Sequence, residues 1–194
     1  MKLRLEKKGI RVLGIAESFE KGVSDKAVLA GVVMRSDLII DGVVLGRCTV
    51  GGMDATDTII EMYRRLERTD IAAIMLNGCI ISWFNVVDLQ KLSDETNLPV
   101  ICVSYYPSKG IKEYFMKYFP SDWENRVEVY ERLGSRFEIV NRNGFKVYLR
   151  IVGLDSDEAS RLINRYTLFG RIPEPLRVAR LIAHSVLKDI HRLS

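Results

Sequence analysis

The stretch from Arg11 to Val50 decides the fold, because it reads as three strands in a row. Residues 11–18 are RVLGIAES, residues 26–35 are KAVLAGVVMR and residues 38–50 are LIIDGVVLGRCTV. β-Branched and aliphatic side chains dominate all three segments, and only the polar loop EKGVSD and the pair Ser36-Asp37 separate them. Strands joined by such short connections favour antiparallel pairing. These residues therefore predict a three-stranded antiparallel meander.

After the meander the sequence changes to a helical period. Between Asp54 and Arg68, apolar residues recur at three- and four-residue spacing with charged residues on the other side, which predicts an amphipathic helix. Asp54 and Asp57 are expected to cap its N-terminus. A strand at 71–76, a helix at 86–96 and a strand at 99–104 follow, an order typical of parallel strands joined by right-handed crossovers.

The remaining segments predict a hairpin and four more helices. Asn143-Gly144 suits the positive φ of a tight turn between strands at 137–141 and 145–152. The helices are predicted at 109–118, 122–133, 155–168 and 175–193, the last with Pro173 and Pro175 at its start, where a missing N–H group costs nothing.

Composition limits the classes of protein to which the chain can belong. Its 194 residues, 47% hydrophobic and 28% charged, suit one globular domain spanning residues 1–194. The apolar runs fall far short of the roughly 20 residues needed to cross a bilayer. The basic segment Met1–Gly9 lacks the apolar stretch of a signal peptide. We therefore expect a cytoplasmic protein without membrane contact, whose oligomeric state stays open.

The three cysteines indicate buried, reduced thiols rather than a zinc site. Cys48, Cys79 and Cys102 each lie in or beside an apolar segment, where a thiol packs as a small apolar group. The sequence has no CxxC pair and no Cys/His cluster, so zinc is not expected.

Several short segments carry a resemblance to a known family. Residues 170–179, GRIPEPLRVA, resemble the segment R-[LI]-P-E-P-x-R-x-A that opens the last helix of endonuclease V proteins. Residues 14–19, GIAESF, resemble the first-strand segment G-[VI]-D-x-S-[FY] of that family. The other matching segments, in the same order as in the family, are Thr49-Val50-Gly51-Gly52, Asn77-Gly78, and Val152-Gly153 with Glu158-Ala159.

More closely, the chain is similar to an uncharacterised, mainly archaeal family related to endonuclease V. The recurring phrases of that family are matched here by residues 51–56, GGMDAT, and residues 84–88, FNVVD. The resemblance implies an α/β fold of the ribonuclease H-like, endonuclease V-like type. In this fold a mixed sheet of three antiparallel and then parallel strands has helices on its flanks. The resemblance does not settle an activity.

The resemblance also implies where metal ligands would stand, and each implied position departs from the pattern. In endonuclease V, carboxylates on the first strand, on the first helix and at the end of the next strand bind the hard cation that drives cleavage. Here these positions carry Ala16, Thr58 and Asn77. The other implied positions carry Tyr105 for a lysine, Leu154 for a histidine, and Thr49-Val50-Gly51-Gly52 for the aromatic-proline wedge that probes the duplex. A magnesium site of the inherited kind is therefore not expected.

A different set of acids could hold Mg²⁺ or Mn²⁺ if the protein is an active nuclease. The candidate catalytic residues are Glu17, Asp54, Asp57 and Asp88, which lie at element ends that the fold would bring to one edge of the sheet. Helix capping is the alternative role for the three aspartates, with Asn85 the capping partner of Asp88. Glu17 has no comfortable structural role, because a carboxylate at the end of a central strand needs a partner. Side-chain alternation along the strand is expected to turn it away from Ala16 unless the strand bulges there.

Basic residues recur on one side of the last predicted helix. Its apolar side, Ala179, Ile182, Val186, Ile190 and Leu193, is expected to pack on the core. Arrays of Lys and Arg hold phosphate backbones, whereas an ordinary solvated helix face is the alternative. Arg177 could instead pair with Glu174, and His184 and His191 suit a surface role. The predicted nucleic-acid-binding residues are Arg161, Arg165, Arg171, Arg177, Arg180 and Lys188.

Three functional hypotheses follow. The first is a nucleic-acid-associated protein related to endonuclease V whose metal-dependent nuclease site has been lost or rebuilt. The second is a magnesium-dependent nuclease or phosphodiesterase that uses the acids around Glu17. The third is a module that binds a small anion or a protein through Gly51-Gly52 and the helix that follows. The cleft is expected to include Ala16, Gly51, Gly52, Asn77, Gly78 and Tyr105.

Overall fold

The computed structural model describes residues 9–108 and 110–193, in which seven strands form one mixed sheet and two short strands pair beside it. The strands are β1 Arg11–Ser18, β2 Lys26–Arg35, β3 Ile40–Thr49, β4 Ile71–Asn77, β5 Ile80–Ile81, β6 Asn85–Val86, β7 Val100–Ser104, β8 Phe137–Val140 and β9 Lys146–Val152. The helices are α1 Ala55–Arg65, α2 Leu89–Thr96, α3 Lys112–Tyr118, α4 Trp123–Arg132, α5 Ser156–Tyr166 and α6 Glu174–Leu193.

The order of strands in the large sheet is β3-β2-β1-β4-β7-β9-β8. The predicted meander is confirmed, since β1 pairs antiparallel with β2 and β2 with β3. The predicted parallel strands are confirmed as well, with β4 between β1 and β7. The predicted hairpin, β8 with β9, extends the sheet by antiparallel pairing to β7. β1 is therefore a central strand, and its carboxyl end lies beside that of β4.

Helices cover both faces of this sheet, because successive side chains of a strand point to opposite sides. On β1, Leu13 and Ile15 pack in a buried cluster with residues of α1 to α4. Val12 and Ala16 pack in the other cluster, with residues of α5 and α6. The alternation expected from the sequence therefore holds along β1.

Close approach of α6 to β1 depends on a glycine. A Cβ atom added at Gly14 would lie 2.6 Å from Cβ of Pro175, in the first turn of α6. On α6 the deepest positions are Leu176, Ala179, Ala183 and Leu187. Of the predicted apolar side of this helix, Ala179 is buried, Ile182, Val186 and Ile190 are partly buried, and the side chain of Leu193 lies outside the described residues.

The segment between β4 and α2 differs from the prediction of a helix at 86–96. Asn85 and Val86 pair antiparallel with Ile80 and Ile81, so helical backbone begins only at Leu89. The prediction was wrong here because Val86 and Val87 suit a buried strand as well as a helix, and the pairing with Ile80 and Ile81 selects the strand. The start predicted for the next helix, Lys109, lies outside the described residues, and α3 begins at Lys112.

The cysteines are buried and free, as predicted: Cys48, Cys79 and Cys102. Of the helices within the described residues, none combines the length and the apolar character that a membrane crossing requires.

Candidate functional site

Glu17 lies at the carboxyl end of β1 and faces away from the neighbouring Ala16. The pairing of β1 with β2 is regular here, with Ala16 opposite Ala30 and Glu17 opposite Leu29. Ala16 is buried against the α5 and α6 side of the sheet. The carboxyl of Glu17 instead reaches Ser82, in the turn between β5 and β6. Consequently Glu17 does not stand in for an aspartate at the Ala16 position.

The surroundings of Glu17 favour its protonated form. Burial raises the pKa of this carboxyl, and hydrogen bonds from the backbone and hydroxyl of Ser82, together with the charge of Arg180, lower it by less. Atom Oε2 is buried and has no hydrogen-bond partner among the described residues. A carboxyl with a raised pKa and a free oxygen can exchange a proton with a ligand.

A cleft of about 580 Å³ opens beside Glu17. Asn77, at the end of β4, lines it from the sheet, and Arg177, Arg180 and His184 line it from α6. One acid therefore faces two arginines and a histidine, and this balance of charge suits an anionic ligand such as a phosphodiester.

The position of the third inherited ligand is occupied by a neutral amide that is already engaged. The hydroxyl of Tyr105 donates a hydrogen bond of 2.8 Å to Oδ1 of Asn77. Burial raises the pKa of Tyr105, so its hydroxyl keeps the proton that it donates. Gly78 follows with a φ of 90°, and its N–H donates to the carbonyl of Val103. The lysine position and the ligand position therefore form a neutral pair instead of a cation site.

Asp54 holds together the segment between β3 and α1. Its carboxylate accepts hydrogen bonds from the backbone N–H of Thr49 at 3.0 Å, the hydroxyl of Thr49 at 2.7 Å and the side-chain amide of Asn85 at 2.8 Å. Burial raises the pKa of Asp54, but these hydrogen bonds outweigh burial and lower it overall. The side-chain oxygen of Asn85 accepts the N–H of Ala55 at 3.1 Å. Asp54 occupies the N-cap position of α1 as expected, yet Asn85 satisfies the helix N–H.

The other two candidate acids are engaged with basic side chains. Asp57 is exposed and makes an ion pair of 2.5 Å with Lys91, so the capping role predicted for it is not observed. Asp88 caps α2 by accepting the N–H of Lys91 at 3.0 Å and pairs with Arg132 at 3.1 Å. The capping role of Asp88 is confirmed, but its predicted pairing with Asn85 is wrong, because Asn85 lies in β6 and bonds Asp54 and Ala55. Lys91 thus contacts both Asp57 and Asp88, whereas Asp54 is held by Thr49 and Asn85.

The inherited metal positions do not fit a divalent cation. Ala16 offers no ligand atom, the hydroxyl of Thr58 donates to the carbonyl of Asp54 at 2.9 Å, and Asn77 accepts from Tyr105. Within residues 9–108 and 110–193, no group of three or more His, Cys, Asp and Glu side chains could hold a metal ion. Magnesium requires several oxygen ligands at once, so the side chains at the inherited positions do not form a magnesium site.

The backbone N–H and carbonyl groups of the Gly51-Gly52 turn already make hydrogen bonds within the protein. The N–H of Gly51 donates to the carbonyl of Ser82, and that of Gly52 to the carbonyl of Thr49. The guanidinium of Arg126 donates to the carbonyls of Gly51 at 2.8 Å and Gly52 at 3.1 Å. These two N–H groups are therefore not available to an anion, and the small-anion hypothesis finds no support in this turn.

The basic residues predicted from the sequence differ in their exposure and in their hydrogen-bond partners. Arg177 pairs with Glu174 through Nε at 2.9 Å, the structural alternative expected for it. Arg171 donates to the carbonyl of Tyr105 at 3.2 Å. Arg161, Arg180 and Lys188 are exposed, and Arg165 is partly buried. Arg180 is the exposed arginine of this set that also lines the cleft. The side chain of His191 lies outside the described residues.

Sequence reasoning missed the turn that carries Ser82 and Trp83. Three consecutive residues there have a positive φ, 45° at Ser82, 57° at Trp83 and 68° at Phe84. Left-handed backbone is uncommon for bulky residues, and such strain concentrates at functional sites. A Cβ atom at Gly51 would lie 2.8 Å from the ring of Trp83, so an aromatic side chain packs on the turn where the family wedge was expected. Because no glycine stands at these three positions, the turn could not be predicted from the sequence.

The chain also matches known proteins over most of its length. The model of the family described as endonuclease dU matches residues 8–187. A UPF0215 protein of the archaeon Pyrobaculum calidifontis is 39% identical over 184 residues, which cover 94% of this chain and 100% of that protein. These matches agree with the predicted relation to an uncharacterised, mainly archaeal family.

Solved structures confirm the predicted fold. A protein of unknown function from Archaeoglobus fulgidus superposes with a TM-score of 0.78 at 29% identity, covering 91% of this chain and 97% of that chain. Endonuclease V of Ciona intestinalis, solved with a DNA that contains an inosine, superposes with a TM-score of 0.62 at 15% identity, covering 94% and 87%. At that lower identity the likeness shows the fold alone, and the fold is of the endonuclease V type.

Proposed function

Because the chain belongs to the endonuclease dU family and has the endonuclease V fold, we propose that it binds nucleic acid in the cleft beside Glu17. The ancestral metal-dependent cleavage site is lost, or rebuilt without its carboxylates. The observation that carries this proposal is the cleft itself, which is lined by Glu17, by Arg180 and His184, and by Arg177 in its pair with Glu174. A cationic cleft of this kind suits a phosphate backbone.

The partner class is proposed from the same geometry and from the family. The endonuclease V of Ciona intestinalis was solved in complex with DNA, and we extend nucleic acid as a partner to this chain. The exposed Arg161, Arg180 and Lys188 extend the positive charge around α5 and α6. We place the protein in the cytoplasm, which the free, buried cysteines support, since thiols stay reduced there.

A salt titration of binding tests this proposal. We expect labelled single-stranded and double-stranded oligonucleotides to bind at about 50 mM salt and to be released as salt rises, because each phosphate contact releases counterions. Arg180→Ala should weaken binding to all sequences and lower the slope of log K against log salt by about 1. Arg64→Ala is the matched control, because Arg64 is exposed on α1 and pairs with Glu95. Absence of binding at low salt, in magnesium and in EDTA alike, would end the proposal.

A second candidate function is phosphodiester cleavage that depends on Glu17. It is supported by the raised pKa and the unpartnered Oε2 of this carboxyl, and by the description of the family as an endonuclease. The acids Asp54, Asp57 and Asp88 lie with other partners, so this candidate depends on Glu17 more than on the predicted set.

Nicking assays with Mg²⁺, with Mn²⁺ and with EDTA separate the two candidates. If the site is lost, the rate of strand scission with the protein equals the rate in buffer without protein under all three conditions. If it is rebuilt around Glu17, wild-type protein cuts and Glu17→Gln does not, while both bind with similar affinity. Scission that needs a divalent ion and survives Glu17→Gln, but not the loss of another acid, would contradict both versions.

A further inference from the structure

A cluster of aromatic side chains begins at Trp83, the residue after the Ser82 that contacts Glu17, and has no role in the proposed cleft chemistry. We define the aromatic surface as Trp83, Phe84, Tyr114 and Tyr118, contributed by the left-handed turn and by α3. Tyr114 is 50% exposed and Tyr118 is 39% exposed, while Trp83 and Phe84 are partly buried. Large aromatic side chains in contact with solvent and with each other mark interaction sites.

The backbone holds the turn in its strained conformation from both sides. The carbonyl of Ser82 accepts the N–H of Gly51 at 2.7 Å, and the carbonyl of Phe84 accepts the guanidinium of Arg126 at 3.1 Å. Left-handed conformations of non-glycine residues are unfavourable and persist only where the surroundings enforce them. These two hydrogen bonds therefore hold the left-handed turn, and with it the positions of Trp83 and Phe84 against α3.

The exposed rings are close to parallel. Tyr114 and Tyr118, one turn apart on α3, have centroids 6.4 Å apart and planes 8° apart. Phe84 stacks on Tyr114 at 6.0 Å and 19°, and on Tyr118 at 5.9 Å and 25°. Parallel rings at a surface offer flat faces on which further planar rings can stack.

Positive charge accompanies these rings. Nζ of Lys21 lies 4.1 Å from the ring centroid of Trp83 and 5.4 Å from that of Tyr118. Nζ of Lys117 lies 5.4 Å from the ring centroid of Tyr118. Aromatic rings with lysine ammonium groups over them complement a strand whose bases are planar and whose backbone is anionic.

The turn connects the aromatic surface to the cleft. Ser82 contacts the carboxyl of Glu17, and Trp83 is the next residue along the chain. The contact between Ser82 and Glu17 therefore links the residue beside the cleft to the turn that carries Trp83 and Phe84.

We infer that the aromatic surface stacks the unpaired bases of a single-stranded nucleic acid that enters the cleft beside Glu17. This inference rests on the proposed function and adds the class of substrate, because paired bases in a duplex cannot lay their faces on the rings. Stacking on aromatic side chains accepts every base, so the surface selects for single strands and not for a sequence.

Binding of one mixed-sequence oligonucleotide, single-stranded and as a duplex, tests the inference through matched variants. Tyr114→Leu/Tyr118→Leu removes the rings and should weaken single-strand binding about tenfold or more, which corresponds to about 1.4 kcal/mol. Tyr114→Phe/Tyr118→Phe keeps the rings and should bind like wild type. Met116→Leu is the control on the same helix, since Met116 is 52% exposed and has no ring.

Tryptophan fluorescence supplies a second measurement that needs no loss of affinity. The chain has two tryptophans, so Trp123→Phe leaves Trp83 as the reporter. Single-stranded oligonucleotide should quench its emission on binding, and the duplex should quench it much less.

The outcomes separate the inference from the function on which it rests. If wild-type protein binds neither form, the proposed function fails. If it binds single strands but the Leu variant binds equally well, or Trp83 is not quenched, the aromatic inference fails and the proposed function stands. If the Leu variant loses its circular dichroism signal, the Phe variant and the quenching of Trp83 decide: quenching by single strands alone supports the inference, and its absence overturns it.

Discussion

Glu17 is a partly buried carboxyl placed between Ser82 and Arg180, with one oxygen left without a partner. Such a group costs stability when it is ionised, because burial removes its hydration and the partners replace only part of it. Functional sites commonly contain groups of this kind. By contrast, Asp54 has three hydrogen-bond donors around it and stabilises the fold.

The sign of the pKa shift at Glu17 gives a stability prediction. The folded state raises the pKa above the usual 4.5, so the folded protein binds the proton more tightly than the unfolded chain. The contribution of this group to stability is therefore present below about pH 4.5 and is lost as pH rises through the folded pKa. At pH 8, Glu17→Gln should increase the free energy of unfolding by on the order of 1 kcal/mol relative to wild type. For a protein of this size, that change raises the unfolding temperature by about 2–4 °C.

Thermal unfolding by circular dichroism at pH 4.5 and pH 8 checks this expectation. The difference between Glu17→Gln and wild type should shrink at the lower pH. Glu61→Gln, an exposed residue of α1, is the control and should show little change at either pH. A variant less stable than wild type at pH 8 would mean that the ionised carboxyl stabilises the fold.

At the scale of elements, the packing of α6 on β1 positions the cleft. Gly14 and Pro175 are in direct contact, and the next turns of α6 carry Arg177, Arg180 and His184 to the side of Glu17. The distance between one strand and one helix thus decides how far the basic side chains stand from the acid.

Gly14→Ala should therefore destabilise the protein, because its Cβ would lie 2.6 Å from Cβ of Pro175 and 2.7 Å from the backbone carbon. We expect a loss of about 1–3 kcal/mol in the free energy of unfolding, as for other overpacked cores. Gly42→Ala is the matched control in a strand, since its Cβ would meet its nearest atom at 3.5 Å. Urea denaturation measures both; equal stabilities of the two variants would show that α6 can shift without cost.

At the scale of the whole molecule, one sheet serves two cores. The cluster with α1 to α4 and the cluster with α5 and α6 use alternate side chains of the same strands. Both clusters depend on the same strands, so we expect the loss of packing in one cluster to destabilise the other. The single domain predicted from the sequence, residues 1–194, stays a prediction.

We expect cooperative unfolding in one transition. Urea curves followed by far-ultraviolet circular dichroism, which reports all helices, and by the fluorescence of Trp83 and Trp123, on the α1 to α4 side, should superimpose. Fluorescence changing at a lower urea concentration than circular dichroism would show that the two sides of the sheet unfold separately.

Much of the fold could be predicted from local patterns. The boundaries of β1 and β2 agree with the sequence prediction at every end, because long β-branched runs and short polar connections leave few alternatives. The start of α2 could not be predicted, since Asn85-Val86 forms a strand only by pairing with Ile80-Ile81. Helix periodicity describes one element at a time and does not report such pairing.

The candidate site could be predicted only in part. The alternation of side chains along β1 correctly separated Glu17 from Ala16. The set of acids around Glu17 was expected at one edge of the sheet, but Lys91, Arg132 and Asn85 engage the others. These partners come from distant parts of the chain, and no spacing rule places them.

The sequence by itself determined the order of the strands of the large sheet and of the helices, the membership of the family, and the absence of carboxylates at the inherited ligand positions, but not the short strands β5 and β6. These properties depend on residue identity and on short-range periodicity. Only the tertiary structure decided the protonation tendency of Glu17, the engagement of the other acids and the aromatic surface beside the cleft. Burial, charge and ring contacts arise between residues far apart in the chain, and they exist only once the sheet and its helices have brought those residues together.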